Sequence, residues 1–127
     1  MNKLAILVSV AAALSLGTAT YAGNSDSSTV NIDSSGYAYG AINATLESAD
    51  AVQYIGCQIG SDTTTSAYVS CFASDVTGRQ EYCYDSNPSA ATLSNLSAVS
   101  GSSVVGFQPD STGRCSFIAV YNVSIYF

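Results

Sequence analysis

The stretch AYVSCFASDVTGRQEYCYD, residues 67–85, decides how this chain folds. Two alternating runs, Ala67–Ala73 and Arg79–Asp85, flank Asp75-Val76-Thr77-Gly78-Arg79. That centre fits a three-residue hairpin loop with glycine in the left-handed third position. The register then sets Asp75 opposite Arg79 and Cys71 opposite Cys83. Upstream, Ser61-Asp62-Thr63-Thr64-Thr65-Ser66 is a turn-rich break, and folding it about Thr64 sets Cys57 opposite Cys71. With Val52–Gly60 as the first strand, the sequence predicts a three-stranded antiparallel meander carrying three cysteines in one row on one face.

The fourth cysteine, Cys115, completes an even set, and an even number in a short exported chain reads as two disulfides. Strands lie about 4.8 Å apart, so Cys57 and Cys83 stand ~10 Å apart across the middle strand, too far to bridge without distortion. Two pairings remain open: Cys57–Cys71 with Cys83–Cys115, or Cys71–Cys83 with Cys57–Cys115. A zinc site is the rival reading of the four thiols. Zinc ligand pairs usually sit two to four residues apart, whereas the gaps here are 14, 12 and 32, with no histidine to help.

Further out, the N-terminus reads as an address. Met1-Asn2-Lys3 is a short basic start, Leu4–Gly17 an apolar run of secretory length, and Thr20-Tyr21-Ala22 offers a signal peptidase site. The run is shorter than the ~20 apolar residues that span a bilayer. Cleavage after Ala22 leaves Gly23–Phe127, in which two arginines face nine carboxylates for a net charge of −7. Arg79 and Arg114 are then the only cations, and no lysine is left to block strand edges. So few cations exclude phosphate-backbone binding to nucleic acid. The absence of histidine from all 127 residues removes the commonest general base and metal ligand.

Gly23–Ser35 is polar and reads as a mobile arm. Tyr37–Leu46 alternates as a strand, Ser103–Phe107 and Cys115–Phe127 as two more. Asn87 capping Pro88 and Ser89–Val99 marks the one helix. The expected division is a signal peptide over 1–22, an arm with a candidate donor strand over 23–48, and a disulfide-bonded β domain over 49–127, with no internal repeat. The fold class is mainly β, a small antiparallel β-sandwich with one short helix. Its strands carry apolar residues on both faces: the last one sets Phe117, Tyr121, Ile125 and Phe127 against Ile118 and Val120. A strand with one wet face alternates more cleanly than this, so either the domain or another chain covers both sides.

No catalytic constellation emerges, because serine lacks a base, no G-x-S-x-G elbow occurs, and Asp75, Glu81 and Asp85 read as solvated carboxylates beside Arg79. The chain is therefore expected to be no enzyme and to need no cofactor. Asp26, Asp33, Asp50 and Asp62 offer hard oxygen atoms to calcium, but no D-x-[DN]-x-[DN]-G loop gathers them. Tyr37, Tyr39, Tyr68, Tyr82 and Tyr84 read first as cross-strand packing and second as a sugar- or surface-binding face. The sequons at Asn43, Asn95 and Asn122 are what a Ser- and Thr-rich chain produces by chance.

Tyr54-Ile55-Gly56-Cys57, Cys71, Gly78 with Cys83, and Gly113-Arg114-Cys115 resemble a group of short exported four-cysteine bacterial proteins over about Val52–Ser124. The resemblance implies export and a disulfide-held β domain, and no activity. The layout of arm plus sheet is similar to bacterial surface-fibre subunits that assemble by strand donation. The expectation is a secreted structural subunit forming a homopolymer by β-strand addition, without a membrane span after cleavage. Tyr37, Tyr39, Ile42 and Leu46 would lie on the donor side, and Phe117, Tyr121, Ile125 and Phe127 on the acceptor side. The alternative is a monomeric secreted binding module, an inhibitor or adhesin, using Ser61–Ser66 or the tyrosine face.

Overall fold

The computed structural model describes residues 29–61, 63 and 67–122. The signal segment, the first part of the arm, Asp26, Asp62, Thr64–Ser66, Ile125 and Phe127 lie outside them. The described residues form seven strands and two helices: β1 Asn31–Ile32, β2 Ala38–Ala41, α1 Ile42–Leu46, β3 Tyr54–Gly60, β4 Tyr68–Ser74, β5 Gln80–Asp85, α2 Ala90–Ser97, β6 Val104–Pro109 and β7 Cys115–Tyr121. They make two antiparallel sheets, ordered β1-β2-β6-β7 and β3-β4-β5.

The meander has the expected register. Cys57 pairs with Cys71 and Cys71 with Cys83. At the hairpin Asp75 N donates to Arg79 O at 3.0 Å, and Gly78 takes φ 82°. The disulfides are Cys57–Cys71 and Cys83–Cys115, with Cα atoms 4.0 and 4.9 Å apart. The first joins neighbours within one sheet; the second ties β5 to β7 and so fastens one sheet to the other.

Apolar side chains on the two inner faces explain why the sheets pack. Ala38, Val105 and Phe107 from the four-stranded sheet meet Val69, Cys71 and Cys83 from the three-stranded one, all fully buried. Val30 and Ile32 are buried in the same core, so the end of the arm is part of the domain rather than an appendage to it. Its position is fixed by a relay in which Val30 N donates to Gln53 Oε1 at 3.0 Å and Gln53 Nε2 donates to Asp50 Oδ2 at 2.6 Å. Helix α2 sends Leu96 into the core and packs on β3 and β7.

Three details of the sequence reading are corrected. The strand expected to run through Leu46 stops at Ala41, and Ile42–Leu46 is a helix, so there are two helices and not one. Ile42 N and Asn43 N donate to Ser103 O and Gly101 O, and this turns the chain away from the sheet. Leu46 ends up 78% exposed on that helix, and neither it nor Ile42 belongs to a strand edge. Helix α2 begins at Ala90, capped by the Ser89 hydroxyl accepting from Thr92 N at 3.1 Å, in place of Asn87 and Pro88. A serine hydroxyl three residues before a free amide satisfies it directly.

Phe107→Ala removes the largest fully buried side chain and should cost about 3–5 kcal/mol in urea unfolding of the oxidised chain. Val76→Ala at the exposed hairpin should stay within roughly 0.5 kcal/mol of the parent.

Candidate functional site

The four-stranded sheet turns a second, outer face away from the core, and the register collects its residues. Tyr39 pairs with Gly106, and Gly106 with Ala119; Val104 pairs with Tyr121 and Gln108 with Phe117. Of the residues expected at assembly contacts, Tyr37, Tyr39, Phe117 and Tyr121 are therefore brought together on one surface. Tyr37 stacks on Tyr39 with ring centroids 5.7 Å apart and meets Phe117 at 6.0 Å. A side chain at Gly106 would collide with the Tyr37 hydroxyl, so glycine is what lets this ring lie across the sheet. Partial burial raises the Tyr37 hydroxyl pKa above its ordinary value, with the neighbouring Tyr121 adding to it. Phe117 and Tyr121 are each 45% exposed, and beyond the parallel bridge of Tyr84 to Arg114 at its start, β7 has no strand on its far side among the described residues.

The three-stranded sheet carries a second ring cluster on its outer face. Tyr54 lies 6.1 Å from Phe72 and Tyr68 lies 5.6 Å from Tyr84, with Tyr82 beside Phe72 in register. The other side chains on this face are Gln, Ser and Gly, so tyrosine is its only ionisable residue type. Every tyrosine among the described residues lies on one of these two outer surfaces, and the one fully buried ring is Phe107. The faces offer ring stacking and hydroxyl or amide hydrogen bonding to whatever meets them.

Three of the hairpins are closed by the same turn. Asp33-Ser34-Ser35-Gly36, Asp75-Val76-Thr77-Gly78 and Asp110-Ser111-Thr112-Gly113 share the pattern D-x-[ST]-G. In each, one Asp Oδ1 accepts from a hydroxyl and a backbone amide two residues on and from a second amide four residues on, at 2.6–3.0 Å. The three glycines are the described residues with positive φ, at 81–82°. The repeat is legible in the sequence once the first turn is aligned on the other two. Gln108 Nε2 reaches Ser35 O at 3.5 Å and Arg79 Nη1 reaches Ile32 O at 3.2 Å, which links the first turn to residues beside each of the other two. The two arginines pair with Glu81 at 3.7 Å and Asp85 at 3.9 Å; these exposed pairs contribute little.

The sulfur atoms of Cys71, Cys83 and Cys115 lie within 4.8 Å of one another, and Cys57 is bonded to Cys71. The register read from the sequence already sets Cys57, Cys71 and Cys83 in one row; what it leaves open is the partner of Cys115, which comes from the other sheet. Of the aspartates considered for calcium, Asp33 and Asp50 are each occupied by their own loops. No helix among the described residues is long and apolar enough to cross a membrane. No family model, no curated protein and no solved structure matches this chain.

The turn carboxylates make stability acid-sensitive. Hydrogen bonds from Ser35, Thr77 and Thr112 hold Asp33, Asp75 and Asp110 below the ordinary carboxylate range, and the Gln53 amide foremost holds Asp50 down to about 2. A depressed folded-state pKa stabilises the fold above the unfolded value, and that contribution is lost as pH falls through the folded value. Stability should therefore be flat above about pH 5 and fall between about pH 4 and pH 2. Carbon-13 titration of the Asp50 carboxyl should give a midpoint near 2. A midpoint near the ordinary value of 3.8 would mean that the Asp50–Gln53 relay is not formed.

Proposed function

We propose that this chain is a secreted structural subunit of an extracellular fibre or surface layer, its copies joined by β-strand addition. The observation that carries the reading is the position of β1 and β7 at the two opposite edges of one antiparallel sheet. An unpaired edge is a row of free amides and carbonyls ready to accept another chain. Here the donor arm, ending in β1, and the acceptor β7 belong to the same sheet. Strand directions alternate through β1, β2, β6 and β7, so β1 of one copy laid against β7 of the next continues the antiparallel order. A head-to-tail contact that does not close makes an open polymer.

Three properties support this reading. β7 contains neither lysine nor proline, the residues that usually blunt an edge. Its outward side chains Phe117 and Tyr121 are half exposed and adjoin Tyr37 and Tyr39, giving an incoming strand apolar contact. β2 is paired on both sides, so of the expected donor Gly23–Leu46 only β1 has an outward edge among the described residues, and its Val30 N and Ile32 O must leave Gln53 and Arg79 to pair with β7. Against this stands the monomeric binding module, which the uncharged ring face around Tyr54, Phe72 and Tyr82 favours.

The test uses oxidised Gly23–Phe127 purified after export to a periplasm, examined by size-exclusion chromatography and electron microscopy across a concentration series. Filaments or an oligomer ladder are expected. Ala119→Lys with Tyr121→Lys should raise the concentration needed for assembly at least ~10-fold, about 1.4 kcal/mol per contact, with circular dichroism unchanged. A sharp monomer at every concentration sinks the fibre reading and leaves the binding module.

A further inference from the structure

We infer that Cys57 is a modification site for small monothiols, and that its reaction is relayed through the sulfur cluster to release Cys115. The argument rests on burial and register. In the Cys57–Cys71 bond, Cys57 is partly exposed and Cys71 fully buried, so an incoming thiolate reaches the Cys57 sulfur. Attack forms a mixed disulfide at Cys57 and expels the Cys71 thiolate into the core.

A thiolate charge in an apolar interior is costly. It is formed, however, with both sulfurs of the second disulfide close by: those of Cys71, Cys83 and Cys115 lie within 4.8 Å of one another. Cys71 and Cys83 also sit directly opposite on adjacent strands. Directly paired antiparallel residues have Cα atoms about 4.5–5.5 Å apart, inside the range a disulfide spans. Attack of Cys71 on the Cys83 sulfur makes Cys71–Cys83 and expels Cys115. Attack on the Cys115 sulfur would instead expel Cys83, which is fully buried. Moving the charge to the half-buried Cys115 is the outcome that relieves the desolvation.

The balance is complete without an oxidant or reductant. One thiolate and two disulfides become one thiolate and two disulfides: RS⁻ is consumed, Cys57–S–SR and Cys71–Cys83 form, and Cys115 leaves as thiolate. If the Cys115 thiolate then attacks Cys57, RS⁻ is regenerated and the chain holds the alternative pairing. Either way the bond between β5 and β7 is broken by a reagent that never touches it.

The experiment treats the oxidised chain with glutathione at pH 8, quenches with acid at short times, alkylates, and maps chymotryptic peptides by mass spectrometry. Expected early products are glutathione on Cys57, a Cys71–Cys83 peptide and alkylated Cys115. Alkylated Cys71 with Cys83–Cys115 intact overturns the relay; a chain that keeps both Cys57–Cys71 and Cys83–Cys115 overturns the site, whereas an adduct-free chain with Cys71–Cys83 and Cys57–Cys115 supports both. Cys57→Ser gives a second readout that needs no added thiol: it should carry Cys71–Cys83 and one alkylatable thiol at Cys115. A Cys57→Ser chain with its thiol at Cys71 contradicts the proposal.

Discussion

The fold depends on four sulfur atoms meeting where two sheets meet. Cys57, Cys71 and Cys83 are forced into one row by the meander's register, and Cys115 arrives from the opposite sheet to bond the end of that row. Cys71 and Cys83 are fully buried, so the cluster is part of the hydrophobic interior and not a clip on its surface. Chain entropy explains why a domain this small uses it. Closing loops of 14 and 32 residues stabilises each by about 2–4 kcal/mol, in a size range where the core alone supplies little surplus. At the other side of β5, Arg79 binds the carbonyl of Ile32, so the three-stranded sheet holds both outer strands of the four-stranded one.

That arrangement satisfies the inner faces and leaves the outer ones aromatic. A soluble sandwich ordinarily dresses its outer faces with lysine and glutamate. Here tyrosine rings lie across glycines, Tyr37 over Gly106 and Tyr68 over Gly60, and carry hydroxyls in place of charges. Such surfaces offer ring stacking and hydroxyl hydrogen bonds, which salt screens far less than ion pairs. The unblunted edge at β7 and the absence of lysine after Lys3 point the same way.

Much of this was legible because local chemistry and tertiary packing agree over residues 54–85. The Asp75–Arg79 loop fixed one register, the cysteine row followed, and strand spacing removed one pairing of three. What stayed hidden depended on contacts distant in sequence. Cys115 could not be assigned a partner without knowing that β7 crosses to β5. Ile42–Leu46 alternates like a strand, yet the carbonyls of Gly101 and Ser103 turn it into a helix. Val30 and Ile32, inside a polar arm, are core residues because Gln53 and Arg79 anchor the backbone around them. The repeated D-x-[ST]-G turn is written in the sequence, but its copies are separated by unequal lengths of chain and so show no fixed period.

The proposed strand addition requires a β7 edge that is open in the isolated chain and closed between copies. Amide hydrogen exchange along residues 115–121 of the oxidised chain, measured at low and high concentration, tests this directly. Strand addition predicts fast exchange for the outward β7 amides when dilute and protection when concentrated, with β6 protected throughout. Protection of all β7 amides in the dilute monomer, or fast exchange at every concentration, would contradict it.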